Sequence, residues 1–159
     1  MITITLPYPV SANRYWRTRT VCGHAVTYVS AEAKAYRKNV MAILRERGVT
    51  EPIRGRVSIS YLLYPKLPKD WETRQRKLGA AWDDGVQCLD LDNAQKVLID
   101  SLKEAAFEDD KWVWRISGQR MEPDDGGARV VVSIGKSMSA NNDFTGESQN
   151  PRHIARSMK

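Results

Sequence analysis

The sequence predicts a small α+β fold in a single domain, because strand and helix patterns occur in a chain of ordinary globular composition. The chain has 159 residues, of which 42% are hydrophobic and 28% are charged. A chain of this length forms about one domain and buries roughly two-thirds of its unfolded surface. Alternating apolar residues mark several strands, and two longer stretches carry apolar residues at helical spacing.

The strands are recognised by alternation of apolar and polar residues and by the turn residues that end them. We expect them at 2–6, 56–64, 112–120 and 128–135. The last two are joined by a Pro-Asp-Asp-Gly-Gly turn at 123–127. Trp112 and Trp114 occupy alternate positions of the third strand, so we expect them to form one face of the core.

Two main helices are predicted. Ser30 is a plausible N-cap for a helix over 31–47, and Gly48 supplies its C-terminal stop. The second helix is expected from Asp92 to Ala106, with apolar residues along one face.

Two long connections lie between these elements. The first, 10–29, is expected to be a polar loop with a short strand at 26–29. The second, 66–89, is longer than compact domains usually tolerate without a function. It has the pattern of a short helix that begins after Asp70 and stops at Gly79.

Several classes of protein are excluded. The apolar runs are too short for a membrane span, and the alternating N-terminus is unlike a secretory signal. Cys22 and Cys88 are far apart, which argues against a disulfide scaffold or a cysteine zinc site and favours a reducing, cytoplasmic setting. With His24 and His153 as its two histidines, the chain gives little support to a histidine zinc site or a serine triad.

The net charge of +6 is unevenly distributed. Residues 1–50 carry eight Lys or Arg against two Asp or Glu, whereas residues 90–136 carry seven against ten. This pattern fits a body that binds a polyanion around an embedded carboxylate cluster. A mixed solvated surface without function is the alternative. Residues 1–136 form the predicted domain, and the polar composition of 137–159 predicts a flexible tail.

The acidic cluster contains the most informative spacing. Asp90 and Asp92 stand two apart at a helix start, Lys96 follows Asp92 by four residues, and Asp110 lies beyond the helix. Carboxylates of this kind suit Mg²⁺, which prefers oxygen ligands and substrate phosphates. Helix capping, turn formation and an ordinary i,i+4 ion pair explain the same residues without function. Asp110 reaches Asp90 only if the chain folds back along the helix.

The basic residues near aromatic side chains are candidates for contact with the phosphates of a nucleic acid. Tyr15 and Trp16 offer stacking surfaces, although each taken singly is better explained as a core residue. The candidate DNA-binding residues are Asn13, Arg14, Arg17, Arg19, Arg74, Arg76, Lys77 and Lys96.

Over about residues 1–135 the sequence resembles the RusA family of Holliday-junction resolvases, which are small endodeoxyribonucleases of bacteria and phages. The resemblance rests on short motifs in the same order. They are Ile4-Thr5-Leu6-Pro7, Asn13-Arg14-Tyr15, Val29-Ser30-Ala31-Glu32, Asp90-Leu91-Asp92-Asn93 with Lys96, and Phe107-Glu108-Asp109-Asp110.

The resemblance implies more than the spacing does. It implies a mixed sheet against two main helices, and Mg²⁺ (or Mn²⁺) held by Asp90, Asp92 and Asp110, with Lys96 also needed for activity. It further implies a homodimer that makes paired symmetric nicks in a four-way DNA junction during recombination and repair. In the family fold the trailing aspartate is expected to return to the site. A two-fold enzyme suits a two-fold substrate.

Two features depart from the family pattern, namely the long 66–89 connection and Cys88-Leu89 directly before the acidic motif. Two alternative functions remain open at this point. One is a non-catalytic protein that binds branched or single-stranded DNA and uses its carboxylates structurally. The other is a nuclease that acts on linear DNA or on RNA.

Overall fold

The structure, a computed structural model, describes residues 1–137. Apart from Ser137, the tail predicted over 137–159 lies outside the described residues. No helix of the described part is long and apolar enough to cross a bilayer. The elements in chain order are β1 (Ile2–Pro7), α1 (Ala12–Tyr15), β2 (Trp16–Val21), β3 (His24–Val29), α2 (Ala31–Glu46), β4 (Val57–Tyr64), α3 (Trp71–Leu78), a 3-10 turn (Gly79–Ala81), α4 (Leu91–Leu102), a second 3-10 turn (Asp110–Trp112), β5 (Val113–Arg120) and β6 (Arg129–Lys136).

The main sheet has four strands in the order β1-β6-β4-β5. Strand β6 pairs antiparallel with β1 and β4, whereas β5 runs parallel to β4, so the sheet is mixed. Alternate residues of β4 are buried, and apolar residues of β1 and β6 join them in one core. The apolar faces of α2 and α4 belong to the same core. The predicted α+β fold, with a mixed sheet and two main helices, is confirmed.

The last two strands form where the alternation predicts them, but they are not neighbours. They flank β4, so the 123–127 connection crosses from one side of the central strand to the other. Residues of β5 are mostly exposed, whereas every second residue of β4 is buried. The more apolar β4 therefore takes an inner position in the sheet and β5 an edge position, because an inner strand is better buried.

The polar loop predicted over 10–29 is wrong for most of its length. It contains the helical turn α1 and a two-stranded antiparallel hairpin of β2 and β3. Cys22 and Gly23 join the two strands, and both have positive φ, at 49° and 81°. Two such residues form the turn that suits the twist of a hairpin, but Asn-Gly or Asp-Gly is its usual signal. Here Cys22 takes the place of the Asn or Asp, so the sequence lacks the usual signal for a hairpin turn.

The start of α2 follows the prediction. Ser30 Oγ accepts a hydrogen bond from the Ala33 amide at 3.1 Å and donates one to the Arg14 carbonyl at 2.7 Å. Gly48 adopts a φ of +79° just beyond the last turn, where a residue with a side chain would be strained. Local capping chemistry therefore determines both ends of this helix.

Helix α4 ends at Leu102, four residues earlier than predicted. Glu104 has a φ of 68°, and the Ile53 amide donates to the Ala106 carbonyl at 2.9 Å. Phe107 is fully buried in the core beside this bridge. The helix ends because burial of Phe107 and its pairing with Ile53 require a different backbone path after Leu102. Residues near Leu102 in the sequence give no sign of these long-range contacts.

The tryptophans of the 112–120 segment do not form the predicted core face. Trp112 is partly exposed in the second 3-10 turn, and Trp114 is 58% exposed. The guanidinium of Arg56 lies 3.7 Å from the ring centroid of Trp114. Val113 and Ile116 pack against the core instead. The tryptophan prediction is wrong because smaller apolar residues take the inward positions of this edge strand.

Candidate active site

Asp90 and Asp92 lie at the exposed N-terminal end of α4. Asp90 is the N-cap residue, yet its side chain makes no capping hydrogen bond; it accepts a long hydrogen bond, at 3.5 Å, from the side-chain amide of Asn93. Asp92 is 69% exposed and pairs with Lys96 at 3.4 Å, four residues along the helix. The ordinary ion pair is therefore present, whereas side-chain capping does not account for Asp90.

Two tyrosines far away in the sequence, Tyr8 just after β1 and Tyr61 on β4, hold the backbone around Asp90. The hydroxyl of Tyr8 accepts from the Leu89 amide at 2.8 Å, and the hydroxyl of Tyr61 donates to the Leu91 carbonyl at 2.7 Å. Burial raises the pKa of Tyr8 to about 12, and burial followed by the charge of Asp92 raises the pKa of Tyr61. Both phenols stay protonated at neutral pH. Sequence reasoning missed them, because nothing in the spacing links them to the acidic motif.

The path of Tyr61 depends on a glycine. Gly118 is its partner on the neighbouring strand, and a Cβ there would lie 2.2 Å from the Tyr61 ring. The ring therefore crosses the neighbouring strand where no side chain stands. This contact lets the hydroxyl reach the carbonyl of Leu91.

Asp110 lies at the opposite end of α4. It pairs with Lys103 at 3.5 Å, and Asp109 pairs with the same ammonium group at 3.7 Å. Lys103 follows the last residue of α4, and a helix of 12 residues is about 18 Å long. Within one copy Asp110 does not return to Asp90, because the chain leaves the helix at Leu102 and turns there.

The charges at this far end stabilise one another. The Asp109 and Asp110 carboxylates raise the pKa of Lys103. A hydrogen bond from the Lys111 amide, above all, lowers the pKa of Asp109. Within residues 1–137 no group of three His, Cys, Asp or Glu side chains is placed to hold a metal ion. Within this range a single copy presents two separate carboxylate pairs, Asp90 with Asp92 and Asp109 with Asp110, and no closed ligand set.

In the basic segment at residues 13–19, the aromatic Tyr15 lies in the core and the arginines lie on the surface. Tyr15 is fully buried and its hydroxyl bonds to Asp100, so it is a core residue. Arg14 pairs with Glu32 at 2.8 Å, with Asn13 exposed beside it. The other two arginines of this segment, Arg17 and Arg19, are exposed on β2, two residues apart and so on one face of the hairpin.

The 66–89 connection is an ordered part of the fold and contains the predicted short helix, α3. The Trp82 side chain is 4% exposed and its indole donates to Glu122 at 2.7 Å. Arg120 donates to two carbonyl groups of the same connection, those of Asp83 and Val86, at 2.8 and 2.9 Å. Trp82 is therefore structural.

The basic residues of α3 point in different directions. Arg74 is bound to Asp70 at 3.0 Å and lines a groove. Arg76 and Lys77 are exposed outside that groove. The predicted cluster is therefore not one continuous contact surface.

A groove of about 820 Å³ runs between this connection and the N-terminal segment. We call it the basic groove. Four cationic side chains line it, of which sequence reasoning missed Lys66 and Lys69. Its Leu89 end is adjacent in sequence to Asp90. The lining residues are Tyr8, Pro9, Val10, Ser11, Arg14, Glu32, Lys66, Leu67, Pro68, Lys69, Arg74, Gly85, Val86, Gln87, Cys88, Leu89 and Ala128.

Comparison with known proteins gives a consistent result. Residues 7–135 match the family model described as "Endodeoxyribonuclease RusA". The chain is 34% identical over 109 residues to "Crossover junction endodeoxyribonuclease RusA" of Escherichia coli K12, covering 66% of this chain and 69% of that protein. It is 33% identical over 108 residues to the protein of the same name from Enterobacteria phage 82, covering 65% and 68%.

Proposed function

The chain belongs to the RusA endodeoxyribonuclease family, and from this premise we propose that it resolves four-way DNA junctions by paired, Mg²⁺-dependent nicks during recombination and repair. The observation that carries the proposal is the exposed Asp90–Asp92 pair, with tyrosine hydroxyls bound to the backbone on either side of Asp90. Its relatives come from bacteria and a bacteriophage, so we place the reaction in the bacterial cytoplasm.

The donor set at the start of α4 fits a hard divalent cation. Asp90 and Asp92 supply carboxylate oxygens, and the Asp90 side chain is not engaged in capping. Mg²⁺ is commonly held by one or two carboxylates together with waters and substrate phosphates. Mn²⁺ accepts the same ligands. When bound, such an ion supplies Lewis-acid polarisation of the scissile phosphate.

The remaining residues of the site have separate roles in the proposal. Lys96 alternates between its ion pair with Asp92 and the negative charge that develops on the attacked phosphate. Tyr8 and Tyr61 keep Asp90 and Asp92 in position by holding the backbone. Arg14, together with the exposed basic residues of β2 and α3, binds DNA phosphates away from the cleaved bond.

Asp110 is assigned to the same metal site, and its position supports a homodimer. Within one copy α4 separates it from Asp90. Two copies related by a two-fold axis can set their α4 helices antiparallel, which brings Asp110 of one copy beside Asp90 and Asp92 of the other. Two such sites act on opposite strands of one junction. In this arrangement the ion pair with Lys103 would balance the charge of Asp110 at the shared site.

The first experiment compares a labelled four-way junction with a matched linear duplex, in Mg²⁺ and in chelator. Symmetric nicks in the junction, dependent on Mg²⁺, are expected. Asp90→Asn should bind the junction normally and leave it uncut, whereas Asp84→Asn, a change at an exposed loop aspartate, should cut normally. Equal cutting of both substrates contradicts junction selectivity, and binding without any cutting by wild type indicates the non-catalytic alternative.

The second experiment tests the shared site. Asp90→Asn and Asp110→Asn are each expected to be inactive alone. Mixing them forms heterodimers in which one of the two sites keeps all three carboxylates, so nicking of one strand should return. If each copy instead supplies all three carboxylates of its own site, every site in the mixture lacks one carboxylate, and the mixture remains inactive.

A further inference from the structure

We propose that the basic groove binds a short unpaired stretch of DNA strand and leads it to Asp90, with Lys66 and Lys69 as phosphate contacts. The inference rests on the proposed function for the identity of the polyanion. It assigns a role to the 66–89 connection, whose length the fold alone does not require.

Charge favours a polyanion in this groove. Four cations line it, and Glu32, the one carboxylate in the lining, is paired with Arg14 at 2.8 Å. Arg74 is paired with Asp70. The exposed side chains of Lys66 and Lys69 make no ion pair or hydrogen bond within residues 1–137. These two ammonium groups are therefore available to phosphates.

The wall that carries the two lysines is held in place. Pro65 and Pro68 restrict the backbone on either side of Lys66. Farther along, the Trp82 indole is bound to Glu122, and Arg120 is bound to two loop carbonyls. A groove held in this way loses little entropy when it binds a strand.

The size of the groove selects an unpaired strand. Sites for drug-sized molecules measure about 300–1,000 Å³, and the basic groove has about 820 Å³. A few nucleotides of single strand fit in that space. A duplex, which carries a second backbone and paired bases, needs more room than this volume offers.

One end of the basic groove lies next to Asp90 in the sequence. Leu89 lines the groove, and its amide is bound by the Tyr8 hydroxyl at 2.8 Å. The next residue is Asp90. A strand that leaves the groove at this end therefore meets the carboxylate pair.

The test measures binding without cleavage. The probes are a short labelled oligodeoxythymidine and a labelled duplex of equal length, titrated in chelator and followed by fluorescence anisotropy. Lys66→Ala with Lys69→Ala should weaken binding of the single strand about tenfold and leave binding of the duplex nearly unchanged. The slope of log K against log salt should fall by about 1.4, since each phosphate contact to a single strand contributes roughly 0.7.

The matched control is Lys34→Ala with Lys38→Ala, which removes two exposed lysines from α2, outside the groove. This control should bind the single strand like wild type. Equal losses in both double variants, or an equal loss on the duplex, overturn the proposal. Junction nicking by wild type is scored separately. If wild type nicks the junction but the Lys66 and Lys69 changes do not weaken single-strand binding, only this inference is refuted. If the two changes weaken single-strand binding as expected but wild type does not nick the junction, only the proposed reaction is refuted.

Discussion

The Tyr61 hydroxyl donates a 2.7 Å hydrogen bond to the carbonyl oxygen of Leu91, the residue between Asp90 and Asp92. Tyr61 lies on β4, an inner strand of the sheet, 30 residues before Leu91 in the chain. The bond therefore connects a strand of the core to the exposed acidic pair.

Tyr61→Phe should slow nicking about tenfold and raise the Mg²⁺ concentration needed for half-maximal rate, because the ligands lose their backbone support. Junction affinity in chelator should not change, since the hydroxyl is not placed to contact DNA. The measurements are single-turnover nicking across a Mg²⁺ series and junction binding. Tyr64→Phe, on the same strand, is the control, and an equal slowing in both variants contradicts a positioning role.

Gly118→Ala should destabilise the protein by about 1–3 kcal/mol and also slow nicking, because the new methyl group displaces the Tyr61 ring. Urea unfolding measures the first effect and the nicking assay the second. Gly85→Ala introduces a methyl group whose nearest neighbour, in Arg74, lies at 3.9 Å, and it should be tolerated. Normal nicking by Gly118→Ala means that the path of Tyr61 is not critical.

Ser30→Ala should lower the free energy of unfolding by about 0.5–2 kcal/mol, which is typical for loss of an N-cap. The hydroxyl also binds the Arg14 carbonyl, so the change loosens α1 from α2. Urea denaturation at neutral pH gives the difference. Ser60→Ala removes an exposed hydroxyl from β4 and should have a smaller effect; equal losses argue against the cap.

Asp124→Asn should lower the melting temperature at neutral pH but not in acid. Two hydrogen bonds from Arg129, at 2.6 and 2.7 Å, hold the pKa of Asp124 below its ordinary value of 3.8. A lowered folded-state pKa contributes stability above pH 3.8 that is lost as the pH falls through the lower value. The melting difference from wild type should therefore shrink below about pH 4.

The control for that pH series is Asp125→Asn, the exposed neighbour in the same turn. The melting temperature of this variant should differ less from that of wild type, and the difference should not shrink below about pH 4. A melting difference for Asp124→Asn that persists unchanged in strong acid means that the ion pair is not its source.

Much of the fold was predictable because its determinants are local. Capping by Ser30, the positive φ of Gly48 and the alternation of β4 each depend on neighbouring residues. The strand order was not predictable from the same signals. It depends on which strand buries more apolar surface, and that is a comparison across the whole chain.

The candidate site divides in the same way. The sequence by itself determined that Asp90, Asp92 and Lys96 share one helix end, since their spacing and the helical period are sufficient for that. Only the tertiary structure decided that Asp110 lies at the other end of α4, because burial of Phe107 ends the helix early. It also decided the tyrosine hydrogen bonds and the walls of the basic groove. These contacts join residues far apart in sequence, and long-range packing rather than local backbone preference creates them.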